Sequence, residues 1–446
     1  MNWTPLPSTH QLVESGRRLR KEVPRASLAT LSSGVRDPLG ILTEQNATRL
    51  PELIGLRAER MSASPFAFYR GTAALMAADL ADGPHTGLQV ASCGDAHVAN
   101  FGFYASPQRT LVFDLNDFDE AAWAPWEWDL KRLVTSVIIG GRHSGRSGEV
   151  MTAAAIRTTL AYRRALAEAM ELSPTQRFFT HFDAAAGIDR VPQESRRVLQ
   201  DAIKSAQRRT GERAVRRLTV RDADGRARFV ERPPTMTRLS TAIESQVHDY
   251  VDRYYASASP DIRFVLAHYT VADVARRVVG VGSVGTRCTL VLLQDGDDNA
   301  FILQSKEANA SVLEQYGRIE QPPVLADLIA ARGQGARVVA LQQILQAVSD
   351  PFLGHLRGTQ ADLYVRQFHD MKGGIDVEGL DDGPFTLYAM ACGVTLARAH
   401  SQSPRAASVV GYLGSGRSAA EAIAEWGMAY ADLSAQDFRS FVGATA

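Results

Sequence analysis

Asp95 and Asn100, a carboxylate and an amide five residues apart, share a loop with Gly94 and His97 directly after the apolar run GLQVASC. Glycine relieves the turn, so both polar side chains can face one cleft and serve a common task. Further along, VFDLNDFDE supplies Asp114, Asn116, Asp117, Asp119 and Glu120 at the end of a second strand. That density of hard oxygen ligands suits Mg²⁺, and a divalent ion held between the two segments is the economical chemistry. Taken singly, each acid reads equally as a loop cap or turn former; together in one short hairpin they point to a site.

A second constellation lies past the midpoint. Gly280, Gly282 and Gly285, with Ser283 among them, form a GxGxxG set in VVGVGSVGTRCTLVLL. Alone the pattern is weak, but its context is informative: a strand rather than a helix follows, which fails the dinucleotide fingerprint and suits a strand-loop-strand flap over nucleotide phosphates. The flap's backbone amides would bind phosphate oxygens. Lys306 ends the next strand, FILQSK, where its ammonium either reaches the α and β phosphates or simply snorkels from a strand end.

The elements that must position these residues can be read from periodicity. GLQVASCGDAHVANFGFYASPQRTLVFDLNDFDEA reads as strand, loop, strand, turn, strand, and WEWDLKRLVTSVIIGG as a buried helix followed by the long amphipathic MTAAAIRTTLAYRRALAEAMEL. LTVRDADGRARFVERPP predicts a hairpin turning at Asp224-Gly225. A second β-rich block spans about 271 to 306, DLYVRQF forms a strand at 362 to 368, and FTLYAMACGVTLARAH and SAAEAIAEWGMAYADL close the chain as helices. The ordered core is expected to begin near Leu53. The division expected is an N-terminal extension over 1–60, a helical lobe with both acidic loops over 61–270, a sheet lobe with the glycine flap and lysine over 271–375, and C-terminal helices over 376–446.

Hydrophobic residues at 45% and charged residues at 22% describe an ordinary folded protein and exclude a mainly disordered one. Basic and acidic residues balance at 49 each, so no global field recruits nucleic acid or an anionic membrane. Basic residues do outnumber acidic ones from 190 to 232, either as a solvated face or as a docking surface for an acidic partner. Cys93, Cys288 and Cys392 lie far apart, and His369 and His400 have no ligand spacing; with no secretory leader or long apolar run, a reducing cytoplasm is expected.

At this point the residues carry a resemblance. GDAHVAN resembles the catalytic loop of aminoglycoside phosphotransferases and other protein-kinase-like enzymes, NDFDEA their metal-binding segment, and WEWDLKRL the helix that follows. Together with LRAERMSASPFAFYRG, GVGSVGTR, SKEA and LARAH, they closely resemble a large uncharacterised bacterial domain-of-unknown-function family that is itself regarded as kinase-like. The resemblance implies a two-lobe α+β architecture, apparently circularly permuted, because the glycine flap and lysine follow the catalytic loop rather than precede it.

By the same resemblance Asp95 is the catalytic base, His97 orders its loop, Asn100 and either Asp117 or Asp114 hold the metal, and Asp129 is the buried aspartate that grips the loop's backbone. Gly280, Gly282, Ser283, Gly285 and Lys306 form the phosphate flap and its lysine. The glutamate that normally pairs with such a lysine is missing from GQGARVVALQQILQAVSD, which leaves Glu307, Glu314 and Glu320 at unfamiliar spacings. Arg70 and Arg366 either contact phosphate or pair a buried acid, and Trp123, Trp126 and Trp128 either line an acceptor pocket or pack. The expected activity is Mg²⁺-dependent phosphoryl transfer from ATP to a hydroxyl on a small molecule or protein. The alternatives are a nucleotide-binding module without turnover and, because GDAH superficially matches the GDxH element, a metal-dependent phosphoesterase.

Overall fold

In the computed structural model the chain is described over residues 5–32, 34–183, 187–188, 191–239, 246–358, 360–368 and 370–445; His369 and Arg190 lie outside them. Mixed α and β elements form several small sheets and a larger helical part. Four short strands come first: β1 (Gln89–Ser92), β2 (Phe101–Ala105), β3 (Leu111–Leu115) and β4 (Ala122–Pro125). Their pairing is nested. β1 runs antiparallel to β4, with Ser92 opposite Ala122, and the β2–β3 hairpin sits inside that pair, with Phe101 opposite Leu115. Loops 93–100 and 116–121 therefore both cross from one strand pair to the other and run side by side, with the Asn116 amide donating to the Asn100 carbonyl at 3.0 Å.

The helix Trp126–His143 follows β4 directly and is buried almost along its whole length, as the apolar character of LVTSVII on every side requires. It packs with the helices Gly148–Glu171, Asp382–His400 and Arg417–Thr445, which surround the largest core. Fully buried side chains such as Leu130, Leu133 and Phe101 each stabilise this core by about 1.5–3 kcal/mol. No helix among the described residues is long and apolar enough to cross a membrane.

Further along the chain, β5 (Thr219–Arg221) and β6 (Ala227–Phe229) form the hairpin turning at Gly225. Six strands then build one antiparallel sheet: β7 (Met236–Arg238), β8 (Thr270–Arg277), β9 (Cys288–Gln294), β10 (Ala300–Ala308), β11 (Gly354–Arg357) and β12 (Asp362–Gln367), in the order β11-β12-β10-β9-β8-β7. Lys306 of β10 lies opposite Cys288 on one side and Tyr364 on the other. The sheet reaches back to Met236, outside the span 271–375 read from sequence, because a strand of three residues carries too little alternation to detect.

The expectation of an ordered core beginning near Leu53 is corrected. Leu28 and Leu42 are buried, and the helix Thr9–Leu19 packs on the helix Ala406–Leu413 so closely that a Cβ on Gly16 would overlap the Ser408 carbonyl. Arg20 Nε donates to the Tyr412 carbonyl at 2.9 Å and Arg25 to the Leu413 carbonyl at 3.1 Å, cations satisfying the C-terminal carbonyls of a helix. Part of this interlock is made through glycine and arginine, which carry no apolar signal in the sequence.

Candidate functional site

The loop after β1 is held from beneath by one face of the helix Trp126–His143. Asp129, one turn into that helix, accepts from the Cys93 amide at 2.6 Å and the Gly94 amide at 2.9 Å, and Ser136 Oγ accepts from the Val98 amide at 2.8 Å. His400 Nε2 lies 3.2 Å from the same Asp129 carboxylate, and its Nδ1 is 2.8 Å from the Tyr162 hydroxyl. A buried carboxylate with three partners fixes the backbone around it. Gly94, at φ +79°, stands where a Cβ would overlap the Glu120 carbonyl, so only glycine lets the two acidic loops approach this closely.

Asp95 then projects toward a cavity of about 320 Å³. Arg132, also on the helix, grips Asp95 Oδ1 through Nε and Nη2, both at 2.8 Å, and His97 Nε2 lies 3.7 Å from Oδ2. Burial raises the Asp95 carboxyl to about 7, with Arg132 opposing the shift. Burial, with Arg70 and Arg132 nearby, lowers His97 far enough to keep the imidazole neutral. Asn100 donates through Nδ2 to the carbonyls of Asp95 at 3.1 Å and Asp117 at 3.2 Å, stitching the loops together, while no described group uses its amide oxygen.

Asp114 and Asp117 differ sharply. Asp114 is 1% exposed, accepts from the Leu115 amide at 2.8 Å and the Ala347 amide at 2.9 Å, and lines neither cavity described here. Asp117 faces the cavity and meets Lys306 Nζ at 3.2 Å. Asp119 meets the same ammonium at 2.5 Å and accepts from the Tyr364 hydroxyl at 2.6 Å. Burial alone would raise the Asp117 carboxyl and lower the Lys306 ammonium; Lys306, Arg366 and Lys372 instead hold Asp117 well below the carboxylate range, and Asp117 and Asp119 hold Lys306 well above its own.

Lys306 thus pairs with two aspartates, not with a glutamate. Glu307 is engaged by the Arg287 amide at 2.8 Å and its guanidinium, and Glu320 is exposed. Glu120 accepts from the Val312 amide at 2.8 Å. Where a pairing glutamate was sought, on the helix Gln334–Leu345, Arg337 donates instead to the carbonyls of Ala121, Asp119 and Asn309 and so steadies the Asp119 loop.

The glycine turn between β8 and β9 forms another wall of the cavity. Gly280 and Gly285 take φ of +70° and +92°, conformations that L side chains rarely adopt, and Gly282 lies against the Arg70 carbonyl. Among the described residues, nothing accepts from the amides of Val281, Gly282 and Ser283. The turn is tied down from the N-terminal side: Arg60 Nη1 donates to the Gly280 carbonyl at 2.7 Å, Arg49 Nη1 to the Val284 carbonyl at 2.5 Å, and the Leu50 amide to the Gly285 carbonyl at 2.8 Å. Arg49 and Arg70 line the same cavity, each with a buried Nε that has no partner among the described residues.

A second cavity, of about 530 Å³, adjoins the first, sharing Asp117, Gly280 and Ser283 as walls. Arg366 and Lys372 line it, and burial together with Arg366 lowers the Lys372 ammonium to about 7. Trp126 and Trp128 are buried packing residues, and Trp123 is partly buried against the same core.

Residues 49–444 match the family described as uncharacterized protein conserved in bacteria (DUF2252). The chain belongs to this family. Membership in DUF2252 takes in both acidic loops, the glycine turn, Lys306 and the arginines of the cavity, together with the N-terminal residues 49 to 60 that tie the turn. No curated protein and no solved structure matches the chain.

Sequence reasoning missed Arg132, Asp119 as the partner of Lys306, Tyr364, and Lys372. Arg132 had a signal: it stands three residues after Asp129 in WDLKRL, on the same helix face. Lys372, in the segment MKGG, had none.

As for metal, no cluster of three or more His, Cys, Asp or Glu among the described residues is arranged to hold an ion. Mg²⁺ is commonly held by one or two protein oxygens, with waters and substrate phosphates completing its shell, and Asp117 with the unengaged oxygen of Asn100 fits that requirement. Asp114 does not, since backbone amides occupy both its oxygens.

Proposed function

We propose that the protein is a phosphotransferase that moves the γ-phosphoryl group of ATP to a hydroxyl acceptor, in a kinase-like cleft whose parts occur in permuted chain order. The observation that carries this reading is the meeting of Asp95, Asp117 and the glycine-turn amides, unbonded among the described residues, around one hollow, with Lys306 held against Asp117 from the adjoining cavity. These are the parts phosphoryl transfer needs: a base, a metal ligand, a cation and an amide cradle.

Asp95, oriented by Arg132, accepts the acceptor hydroxyl's proton as its oxygen bonds to the γ-phosphorus and ADP departs. A carboxyl near 7 suits a base working at neutral pH. The turn's amides and Lys306 bind phosphate oxygens, and Mg²⁺ held by Asp117 and Asn100 would neutralise phosphate charge. Arg49 and Arg70, in the wall of the same hollow, would add positive charge beside the transferring group.

The test is a nucleotide and metal panel by thermal shift, followed by transfer of label from γ-labelled ATP. Asp95→Asn should retain ATP-dependent stabilisation and lose about 10²–10⁴-fold in transfer. Undiminished transfer in Asp95→Asn would sink the assignment. A second reading, a nucleotide-binding module without turnover, draws on the Arg132 clamp on Asp95 and the aspartate pair on Lys306. It predicts stabilisation by ATP and Mg²⁺ with no transfer in the unaltered protein.

A further inference from the structure

The second cavity holds an excess of positive charge, of which the proposed reaction uses only Lys306. Its acids are spoken for. Asp117 pairs with Lys306, Asp370 pairs with Arg109, and Asp350 accepts from the amides of Phe352 at 2.8 Å and Gln367 at 2.6 Å. Two cations have no such partner. Arg366 donates only to neutral oxygens, Gln304 Oε1 at 3.0 Å and the Asn116 carbonyl at 3.4 Å, and Lys372 makes no hydrogen bond or ion pair among the described residues.

The two come from different segments, Arg366 from β12 and Lys372 from the stretch beyond it, yet they face one recess beside a third cation, Lys306. Lys306, Arg366 and Lys372 share the nearby carboxylates of Asp117 and Asp119, three cations to two acids, and the excess positive charge costs free energy that a bound anion would return. Arginine presents a planar fork matched to two oxygens and lysine a point charge, a pairing suited to a tetrahedral oxyanion.

We propose that Arg366 and Lys372 form a second anion subsite, which takes a phosphate-class oxyanion in the cavity on the far side of Asp117 from Asp95. Binding of the anion does not depend on the phosphotransferase reading; only the identity of its carrier rests on that reading. The carrier is either the nucleotide, placing one of its own phosphates there, or a second substrate bearing a phosphate.

The experiment uses the full chain and pyrophosphate, followed by calorimetry and thermal shift, with Lys372→Met, Arg366→Gln and, as a first-cavity control, Arg70→Gln. Lys372→Met and Arg366→Gln should each weaken pyrophosphate at least about tenfold, the loss of one charge-assisted hydrogen bond, and by more than Arg70→Gln does. Without ligand, Lys372→Met should melt no lower than the unaltered protein, because it removes an unpaired recessed charge; it carries the test even where Arg366→Gln fails to fold. Pyrophosphate affinity unchanged in Lys372→Met overturns the proposal.

ATP, AMP and adenosine then identify the carrier. Weakening of ATP beyond that of AMP and adenosine assigns the subsite to the nucleotide, and unchanged ATP alongside weakened pyrophosphate assigns it to the other substrate. Pyrophosphate binding that is lost in Lys372→Met, in a protein that transfers no phosphate from ATP, sinks the preceding reading and leaves this one standing.

Discussion

Two walls of the same cavity are built in opposite ways. The loop 93–100 is fastened by side chains beneath it: three of its amides end on Asp129 and Ser136, and Asn100 joins it to the neighbouring acidic loop. In the turn 278–287 the amides of Val281, Gly282 and Ser283 find no acceptor among the described residues, and two arginines and one backbone amide of the N-terminal segment hold it from outside. A site that must keep its acids in place while admitting a ligand needs one wall preorganised and the other adjustable.

The sharpest way to break that contrast is to cut the fastening. Asp129→Ala leaves two amides and His400 facing a void, and should cost about 3–5 kcal/mol by denaturant unfolding, as loss of one member of a buried charged network does. A cost below about 1 kcal/mol would mean that the loop is held elsewhere.

Next in size is Gly285→Ala, which places a Cβ at φ +92° and 3.0 Å from the Arg49 side chain. The expected cost is about 1–3 kcal/mol. Hydrogen exchange should rise across 278–287 while the amides of 93–98 stay protected; equal loosening of both walls would contradict the difference drawn between them.

A smaller effect is readable as a slope. Asp95 titrates near 7 in the fold against 3.8 for a free aspartate, so the folded chain binds that proton more tightly than the unfolded one. The stability it contributes is complete below about 4 and is lost as pH rises through 7. The stability of the unaltered protein relative to Asp95→Asn should therefore fall between those values and level off above, and a flat difference would remove the raised carboxyl. On the proposed phosphotransferase reading, in which Asp95 acts as a carboxylate base, transfer should rise over the same interval.

Arg60→Ala should do least, under about 1 kcal/mol, because it removes a single exposed hydrogen bond to the Gly280 carbonyl. Limited proteolysis should nevertheless find the turn more readily, and ATP with Mg²⁺ should restore its protection.

Much of this was legible from local pattern. GLQVASC, FGFYA and LVFDL were readable as β1, β2 and β3, though not the short β4 that pairs with β1 and closes the nest, and the apolar faces of WEWDLKRLVTSVIIGG marked the buried helix that carries Asp129. Asp117 could not be separated from Asp114 by spacing, since only the course of the chain beyond β3 decides that Asp114 turns inward to the Ala347 amide. The partner of Lys306 was sought on a helix because a glutamate was expected; register across β10 and β12 instead put Tyr364 beside the lysine and Asp119 between them. Such pairings depend on which strands become neighbours, which no short window of sequence records.

The interlock of the first helix with the helix Ala406–Leu413 bears on how the chain assembles. The hydroxyls of Ser15 and Ser408 lie 3.0 Å apart across a sequence separation of 393 residues. On the ribosome, the helix Thr9–Leu19 must therefore wait, unsatisfied, until residues 406–413 have emerged. Besides its glycine and arginine contacts, this opening stretch carries Leu19, Val23 and Leu28, apolar side chains that stay uncovered until their partners arrive.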